Sequence, residues 1–234
     1  MPGLTPAPGS DAEISAFAAL QERLPALFRK VFADPLAPRT VVVVPGLSVD
    51  CEVLAKVSGC QHYEERQLSM LTLLHLPNTR LVFVSSIAID PAIVDYYLRL
   101  LPGVSEADAR RRLVMLSTSD GSAQSLTQKI LERPRLLARI RAAIGDPQLA
   151  HLSVFNSTPL ERTLAVQLGI PLYGCDARLL EWGGKSGSRR VFREAGIDLP
   201  DGVEDLRDAA DLAASLAALK ARRPSLARAV VKLN

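Results

Sequence analysis

Two spacings of apolar residues alternate along the first three quarters of the chain. Short β-branched runs, such as TVVVVPG at 40–46 and RLVFVSS at 80–86, are typical of strands buried on both faces of a parallel sheet. Between such runs, apolar residues recur at helical spacing, as in PLERTLAVQLG at 159–169. This alternation predicts βαβ units and a doubly wound α/β sheet, in which ligands usually lie beyond the carboxyl ends of the strands.

The same patterns predict the other elements of this sheet domain. Asp11 is the expected N-cap of a first helix, which Pro25 kinks or breaks. Further predicted strands lie at 112–118 and 151–158, with a possible edge strand at 170–174. Further predicted helices run from Asp90 to about Leu101 and over 122–144. Together these segments predict one domain over residues 11–174, after a Pro- and Gly-rich leader at 1–10 that we expect to be disordered.

The character of the chain changes near Gly174. DARLLEWGGKSGSRRVFREAGIDLP at 176–200 predicts a short helix, a Gly-rich turn and a second helix that ends at Gly196. An amphipathic helix ended by Pro224 follows, and ARAVVKLN then predicts a buried strand at 228–232. We therefore expect a second domain at 175–234, which is too short to form an independent core comfortably.

Composition supports a core and narrows the possible partners. Of the 234 residues, 48% are hydrophobic, which is enough for a substantial core. The net charge is only +3 and the arginines are scattered along the chain, so we expect no nucleic-acid partner. No segment approaches the ~20 apolar residues of a membrane span. The N-terminus also lacks a secretory signal, so we expect a cytoplasmic protein without a membrane partner. Three cysteines without CxxC spacing argue against a disulfide framework or a zinc site.

The common nucleotide-binding sequences are absent from the chain. Neither GxGxxG after the first strand nor GxxxxGK[ST] occurs. SDGS at 119–122 lies between a predicted strand and a predicted helix, where backbone N–H groups can hold an anion. The simpler interpretation is that Ser119 or Ser122 caps the helix.

Two further polar stretches have both a functional and a structural interpretation. HYEER at 62–66 offers a histidine and carboxylates for acid–base chemistry, or acidic residues that favour the start of a helix. No ligand-type spacing surrounds the other histidines, so we do not expect them to bind a metal. Asn156 and Thr158 follow a predicted strand where such sheets present ligands, although capping by Thr158 with Pro159 at the first helical position is sufficient to explain them.

The stretch GGKSGSRRVFREAGIDLP is the most informative in the sequence. Lys185 follows two glycines and precedes Ser186-Gly187-Ser188, so its side chain emerges from a loop whose backbone can approach a phosphate closely. A plain surface turn has the same composition, because glycine, serine and lysine are ordinary turn residues. The two interpretations, a phosphate site and a surface turn, stay open on these residues alone.

This stretch and the segments around it resemble a known family. Lys185, the helix after it, the Pro200 exit, a long helix and VVKLN resemble the opening of the ATP-grasp fold. Together with NSTPLERTLAVQLGIPLYGCD, they are similar to the pheganomycin-type peptide ligases, a branch of the ATP-grasp carboxylate–amine ligases. The resemblance runs from about residue 40 to the end. It implies an α/β fold with a Rossmann-like pre-ATP-grasp domain, followed by an incomplete ATP-grasp subdomain.

The resemblance also implies site residues and a reaction. Two basic residues of the family contact the phosphates of ATP, and they map onto Lys185 and Lys232. Arg189, one helical turn beyond Lys185, either assists them or is a solvated helix charge. Possible contacts with substrate or with neighbouring loops are Asn156, Thr158 and Ser188. The implied reaction phosphorylates a carboxylate with ATP, and an amine or peptide then attacks the acyl phosphate to give an amide.

Several parts of the family's active site have no counterpart in this sequence. In the family, a Gly-rich loop, a hinge that holds adenine, and late Glu and Asn residues that bind Mg²⁺ follow VVKLN. We therefore expect this chain to be the front part of a ligase, with no catalytic residue and no metal ligand of its own. The ligands of Mg²⁺ are expected in the absent C-terminal part. The isolated chain is accordingly expected to be inactive.

Two alternatives use the same sheet for another purpose. A non-catalytic α/β binding or assembly domain, completed by a partner chain, makes Lys185 an ordinary loop residue and leaves VVKLN as an edge for strand addition. A Rossmann-like transferase that uses a nucleotide sugar is disfavoured, because no acidic pair follows a predicted strand.

Overall fold

The computed structural model describes residues 5–48 and 54–232. The helices are α1 (Asp11–Gln21), α2 (Leu24–Ala33), α3 (Pro91–Arg99), α4 (Glu106–Arg112), α5 (Leu126–Leu131), α6 (Pro134–Ile144), α7 (Pro159–Leu168), α8 (Leu180–Gly183), α9 (Lys185–Glu194) and α10 (Ala209–Arg222). The 3-10 helices are Cys60–His75, Pro147–Leu149 and Ala177–Leu179. The strands are β1 (Arg39–Val44), β2 (Thr79–Ser85), β3 (Leu113–Ser117), β4 (Ala150–Val154) and β5 (Leu172–Tyr173).

The chain divides into two compact units, one up to Cys175 and one from Asp176 onward. The assignment of these units to a pre-ATP-grasp domain and an ATP-grasp subdomain stays a prediction. The predicted leader at 1–10 lies partly outside the described residues; residues 7–10 form a turn in which Ser10 N donates to Ala7 O at 3.1 Å. None of the described helices has the length and apolar character needed to cross a lipid bilayer.

The first unit contains the predicted parallel α/β sheet, which is confirmed. Its five strands are all parallel and lie in the order β3-β2-β1-β4-β5. β1 is central, and the chain crosses from one half of the sheet to the other between β3 and β4. The carboxyl ends of β1 and β4 therefore form the point where strand order reverses, the usual place for a ligand in such sheets.

Both faces of β1 are buried, which explains its uninterrupted apolar run. Val42 and Val44 pack on one face in a cluster formed mainly with β2, β4 and helices α5, α6 and α7. Val41 and Val43 pack on the other face with the 3-10 helix Cys60–His75 and helix α3. A strand buried on both faces favours apolar side chains at successive positions, so the sequence from Val41 to Val44 does not alternate.

Helix starts follow the sequence closely, with small corrections. Ser10, and not Asp11, is the N-cap of α1, because the Ser10 side chain accepts from Glu13 N. Pro25 lies in the first turn of α2 and separates it from α1, as predicted. The helix predicted from Asp90 begins at Pro91, and Asp90 is its N-cap, with its side chain accepting from Ala92 N.

The regular structure of the second unit is helical in its described residues, and the predicted strand at 228–232 is wrong. Residues 226–232 form no regular structure, and Val230 and Val231 are 80% and 60% exposed. A strand requires a neighbour for its backbone N–H and C=O groups, and the described part of this unit, 176–232, contains no strand. The apolar run therefore has neither a ladder nor a core to join.

Candidate functional site

A buried lysine and a buried glutamate meet near the carboxyl end of β2. The Lys129 ammonium on α5 donates to Ser86 Oγ (3.1 Å) and to the carbonyl oxygens of Asp120 and Ser122 (2.8 Å each). Glu64 accepts from Ser86 N (2.5 Å) and from Ser86 Oγ (2.6 Å). Lys129 and Glu64 are 1% and 5% exposed. The Ser86 hydroxyl thus links the two charges, because it donates to the carboxylate and accepts from the ammonium.

Burial and hydrogen bonding push the carboxyl pKa values of this cluster apart. Burial raises the pKa of Glu64, and hydrogen bonds from Ser86 with the positive charge of Lys129 partly oppose that rise. Hydrogen bonds from Ser122, helped by Arg133 at 2.7 Å, lower the pKa of Asp120 to about 2. Glu64 is therefore the carboxyl group of this cluster that takes up a proton first as the pH falls.

The cavity beside this cluster is small. Its volume is about 10 Å³, and its polar lining includes Glu64, Ser86, Ser125 and Lys129. About 10–15 Å³ is the room that one water molecule needs. The cluster consequently ties the 3-10 helix Cys60–His75, β2 and α5 together and leaves little space for a ligand.

The SDGS loop at 119–122 differs from both of its predicted roles. Neither Ser119 nor Ser122 caps α5, since Ser125 is its N-cap and accepts from Gln128 N. The carbonyl groups of Asp120 and Ser122 point at the Lys129 ammonium. The loop therefore binds the Lys129 ammonium through its carbonyl groups, whereas its sequence predicted a possible anion site formed by backbone N–H groups.

The HYEER segment does not form a joint acid–base site. Its residues lie in a 3-10 helix and face different directions. His62 Nδ1 lies 2.8 Å from Glu65 Oε1 on the surface, and Arg66 lies over the Tyr63 ring at 4.1 Å. Glu64 alone turns inward to Ser86. The structure thus separates the histidine from the one buried carboxylate.

At the point where strand order reverses, polar side chains join the loops after β1 and β4. Asn156 Oδ1 accepts from Ser48 N (3.0 Å), and Asn156 Nδ2 donates to Ser48 O (3.2 Å). The Ser48 hydroxyl donates a short hydrogen bond to Glu161 Oε1. Thr158 caps α7 in a reciprocal capping box with Glu161, so its predicted capping role is confirmed. A substrate contact by Asn156 or Thr158 stays a prediction.

Lys185 opens a helix in the second unit and does not lie in a loop. It is the first residue of α9, and the N-cap before it is Gly184, which offers no side-chain cap. The Lys185 side chain is exposed, and no hydrogen bond or ion pair reaches its ammonium group within the described chain. Ser188, by contrast, uses its hydroxyl to donate to Lys185 O at 3.1 Å. Lys185 thus combines a free cation with an uncapped helix start, both of which favour an anion.

Arg189 is engaged by a carboxylate of its own unit. Its Nε donates to Glu204 Oε1 at 2.5 Å, and its Nη2 donates to Pro200 O at 3.0 Å. Arg193 reaches the same Glu204 oxygen at 2.8 Å. Hydrogen bonds from Arg189 are the largest cause that lowers the pKa of Glu204. Arg189 is therefore not the solvated helix charge that was one of its two predicted roles, because its guanidinium binds the segment after α9. A phosphate contact by Arg189 stays a prediction.

Helices α8 and α9 approach so closely that Gly187 has no room for a side chain. A β-carbon at Gly187 would collide with the backbone of Glu181 and Trp182. We expect Gly187→Ala to lower the free energy of unfolding of the second unit by about 2–3 kcal/mol, because one of the two backbones must move. Fluorescence of Trp182, the single tryptophan of the chain, measures this loss during urea unfolding.

Gly183→Ala is the matched control for that substitution. A β-carbon at Gly183 meets nothing within 4 Å. Its urea midpoint should stay close to the wild-type value. Equal midpoints for both alanine variants would contradict the close approach of α8 and α9.

Lys232 lies in a different environment from the one that the sequence predicts. Lys232 is exposed in irregular backbone, so the predicted interior position is wrong, while its phosphate role stays a prediction. The sequence does not single out Lys129 or Ser86, because neither lies in a recognisable motif. The one sequence feature that indicates a buried Lys129 is its position on the apolar side of a helix. Its partner Ser86 is distant in sequence, so no local pattern predicts the contact.

The comparisons with known proteins add evidence that the geometry alone does not give. Over 200 residues, 83% of this chain, the sequence is 31% identical to L-propargylglycine–L-glutamate ligase of Streptantibioticus cattleyicolor. This chain is a partial homologue of that ligase. Over 214 residues, 85% of this chain, it is 27% identical to IQ motif-containing protein H of Danio rerio. No protein-family model matches the chain.

The chain spans less than half of the length of either relative. The matched part is 42% of the ligase and 20% of the IQ motif-containing protein. The similarity to this ligase supports the predicted relationship to peptide ligases. It does not extend to the predicted domain assignments.

Proposed function

We propose that this chain is the N-terminal part of an ATP-dependent ligase of the ATP-grasp type that joins a carboxylate to an amine or peptide. The observation that carries the proposal is the 31% identity with an amino-acid ligase over 200 residues. The parallel sheet of the first unit agrees with a Rossmann-like domain in front of the catalytic fold. The substrates of this protein are proposed by class alone: ATP, a carboxylate, and an amine or peptide.

Lys185 is the residue whose surroundings best fit a nucleotide phosphate. Its ammonium is exposed without a partner in the described chain, at the start of a helix of ten residues that has no side-chain cap. A free ammonium and the positive end of a helix both attract phosphate oxygens. Lys232 remains proposed from the resemblance alone. Arg189 is bound to Glu204, and we propose that it positions the segment around Pro200.

The proposed reaction has two steps. An oxygen of the substrate carboxylate bonds to the γ-phosphorus of ATP, and the bond to the bridging oxygen breaks to release ADP. The amine nitrogen then attacks the acyl carbon, phosphate departs with the electron pair of the C–O bond, and the nitrogen loses a proton to leave the amide. Lys185 would offset negative charge on the phosphates as the γ-phosphoryl group moves, which is an electrostatic role.

Mg²⁺ in such a reaction neutralises charge on the β- and γ-phosphates. Within residues 5–48 and 54–232, no three carboxylate, histidine or cysteine side chains form a group that could hold a metal ion. We therefore assign no magnesium ligand to the described chain and route no step through the ion.

Nucleotide titration of the Lys185→Ala variant tests the proposal. We expect ATP with Mg²⁺ to bind Lys185→Ala about tenfold more weakly than wild type, because one charge-assisted contact to phosphate is lost. Isothermal titration calorimetry measures the change. Lys30→Ala is the matched control, since Lys30 is also an exposed helical lysine. Its affinity for ATP should equal that of the wild type.

Two results would count against the proposal. The first is an equal loss of ATP affinity in the Lys185 and Lys30 variants, which would reduce the effect to net charge. The second is the absence of any heat of binding with the wild-type chain. In that case the phosphate site assigned to Lys185 would be wrong.

One observation favours an alternative of a different class. The relative from Danio rerio matches 85% of this chain, and its name gives a motif and no reaction. This agrees with a non-catalytic α/β binding or assembly domain, completed by a partner chain. If this alternative holds, the same titration detects no ATP binding to the wild-type chain. Lys185→Ala then gives the same result as the wild type.

A further inference from the structure

A cleft lies at the amino-terminal edge of the sheet, where β1, β2 and β3 begin. Its volume is about 320 Å³, within the range of small-molecule sites. Thr79 and Arg80 open β2 on one side of it, and Arg111 and Arg112 at the end of α4 lie on the other. Pro38 and Pro77 add apolar wall. The cleft therefore lies at the amino ends of the strands. Ligands of such sheets usually bind at the opposite, carboxyl ends.

The charges around this cleft are unbalanced. Among the residues that the structure describes, three arginines line it and no carboxylate does. The nearest bonded acid is Asp108, which accepts from Arg111 Nη2 (2.6 Å) and from Arg112 Nε and Nη2 (3.1 and 2.6 Å). Asp108 thus offsets one charge of the pair Arg111 and Arg112, and with Arg80 two of the three arginine charges stay without a bonded acid among the described residues.

The three arginines differ in how much of each is free to bind. Arg112 is fully used, because its remaining N–H groups donate to the carbonyl oxygens of Leu74, Leu76 and Thr79 at 2.8–3.1 Å. It is a fixed charge in the wall. The Arg80 side chain is exposed and has no hydrogen bond or ion pair to any described residue. Arg111 keeps donors free beyond its one bond to Asp108, and its side chain is 73% exposed.

A second observation is the hydroxyl of Thr79. Thr79 lines the cleft, is 0% exposed, and its Oγ1 has no hydrogen-bond partner in the described part of the chain. A buried hydroxyl without a partner is unfavourable and calls for a physical reason. A ligand that enters the cleft and reaches this hydroxyl would supply one.

We propose that this cleft binds a small phosphorylated anion, held by Arg80 and Arg111 against the fixed charge of Arg112. A phosphate group fits because planar guanidinium groups donate to two of its oxygens at once, and because its negative charge matches the arginine charges without a bonded acid. The prolines provide an apolar wall for the remainder of the ligand. This site is independent of the nucleotide contact proposed for Lys185.

Titration of the full chain with inorganic pyrophosphate at constant ionic strength tests the site. We expect Arg80→Ala to bind pyrophosphate about tenfold more weakly than wild type does. The affinity of Arg80→Lys should fall between the two, because lysine keeps the charge but cannot donate two parallel hydrogen bonds. Arg135→Ala is the control, since Arg135 is an exposed arginine at the start of α6, away from the cleft. It should bind like wild type, and so should Lys185→Ala.

Each other result overturns the proposal. If Arg135→Ala weakens binding as much as Arg80→Ala does, the effect is non-specific attraction. If Lys185→Ala loses pyrophosphate while Arg80→Ala keeps it, the anion binds at the proposed nucleotide contact, and the cleft does not bind it. If tricarballylate binds as tightly as pyrophosphate, the cleft selects carboxylates and the phosphate assignment is wrong. Arg111→Ala repeats the test at the second exposed arginine, in case Arg80→Ala does not fold.

Discussion

Replacing Lys129 by methionine is expected to lower the free energy of unfolding of the first unit by about 3–5 kcal/mol, the usual cost of removing one member of a buried charge pair. Methionine has similar length but donates nothing, so Ser86 Oγ and the carbonyl groups of Asp120 and Ser122 lose a donor. Glu64 also loses the nearby charge that opposes the rise of its pKa. Hydrogen exchange of β1 and β2 peptides measures the loss in this unit.

A double-mutant cycle separates the two contributions. Glu64→Gln combined with Lys129→Met leaves no uncompensated charge, so the pair should lose less than the sum of the two single changes. Lys30→Met, at an exposed position on α2, is the control and should change the stability of the unit very little. A loss under about 1 kcal/mol for Lys129→Met would place this lysine among ordinary surface charges, in conflict with its burial.

Replacing Glu13 by alanine is the second change with a large expected effect, also about 3–5 kcal/mol. Glu13 is 1% exposed, and its carboxylate accepts from Arg162 Nε (3.1 Å), Thr163 Oγ1 (2.6 Å) and Gly9 N (2.9 Å). It therefore fastens α1 to α7, and its loss leaves Arg162 buried without its partner. Hydrogen exchange of peptides from α1 and α7 measures the result.

Acid should weaken the same contact. Burial raises the pKa of Glu13, but hydrogen bonds from Thr163, Gly9 and Arg162 outweigh it, so the net effect lowers the pKa below its ordinary value. The stability from Glu13 is therefore complete above the ordinary glutamate pKa and is lost as the pH falls through the lowered one. Glu106→Ala breaks the exposed pair with Arg99 and is the control, with about 0–1 kcal/mol expected. Equal losses at both positions would contradict the buried role of Glu13.

The sheet could be predicted from the sequence because its signals are local. TVVVVPG and RLVFVSS are apolar at consecutive positions, and that pattern has few explanations other than a strand buried on both faces. The starts of α3 and α7 were equally readable, since Asp90-Pro91 and Thr158-Pro159 combine a capping side chain with proline at the first helical position.

The strand at 228–232 could not be judged from its own residues. Val230 and Val231 have high strand propensity, but a strand exists only if another strand pairs with it. The described part of the second unit offers none, and the two valines are exposed. Strand propensity reflects how well a side chain packs against neighbouring strands. The described part of the second unit contains no neighbouring strand for Val230 and Val231.

The polar clusters were the least predictable feature. Glu64 was recognised as a candidate, but its partners Ser86 and Lys129 lie 22 and 65 positions later in the sequence, and no local pattern links them. The engagement of Arg189 by Glu204 was equally hidden, because it depends on how the chain folds back after α9. Contacts of this kind are set by tertiary packing.

The central position of β1 has a consequence for how the protein is made. β1 pairs with β2 on one side, and on the other Thr40 pairs with Ala150, which lies 110 residues later in the sequence. At synthesis rates of about 5–20 residues per second, β4 leaves the ribosome on the order of 5–20 s after β1. During that time one edge of the RTVVVV strand has no partner, and an apolar unpaired edge readily joins another chain. Nascent chains of this protein should therefore be most prone to association in the interval before β4 appears.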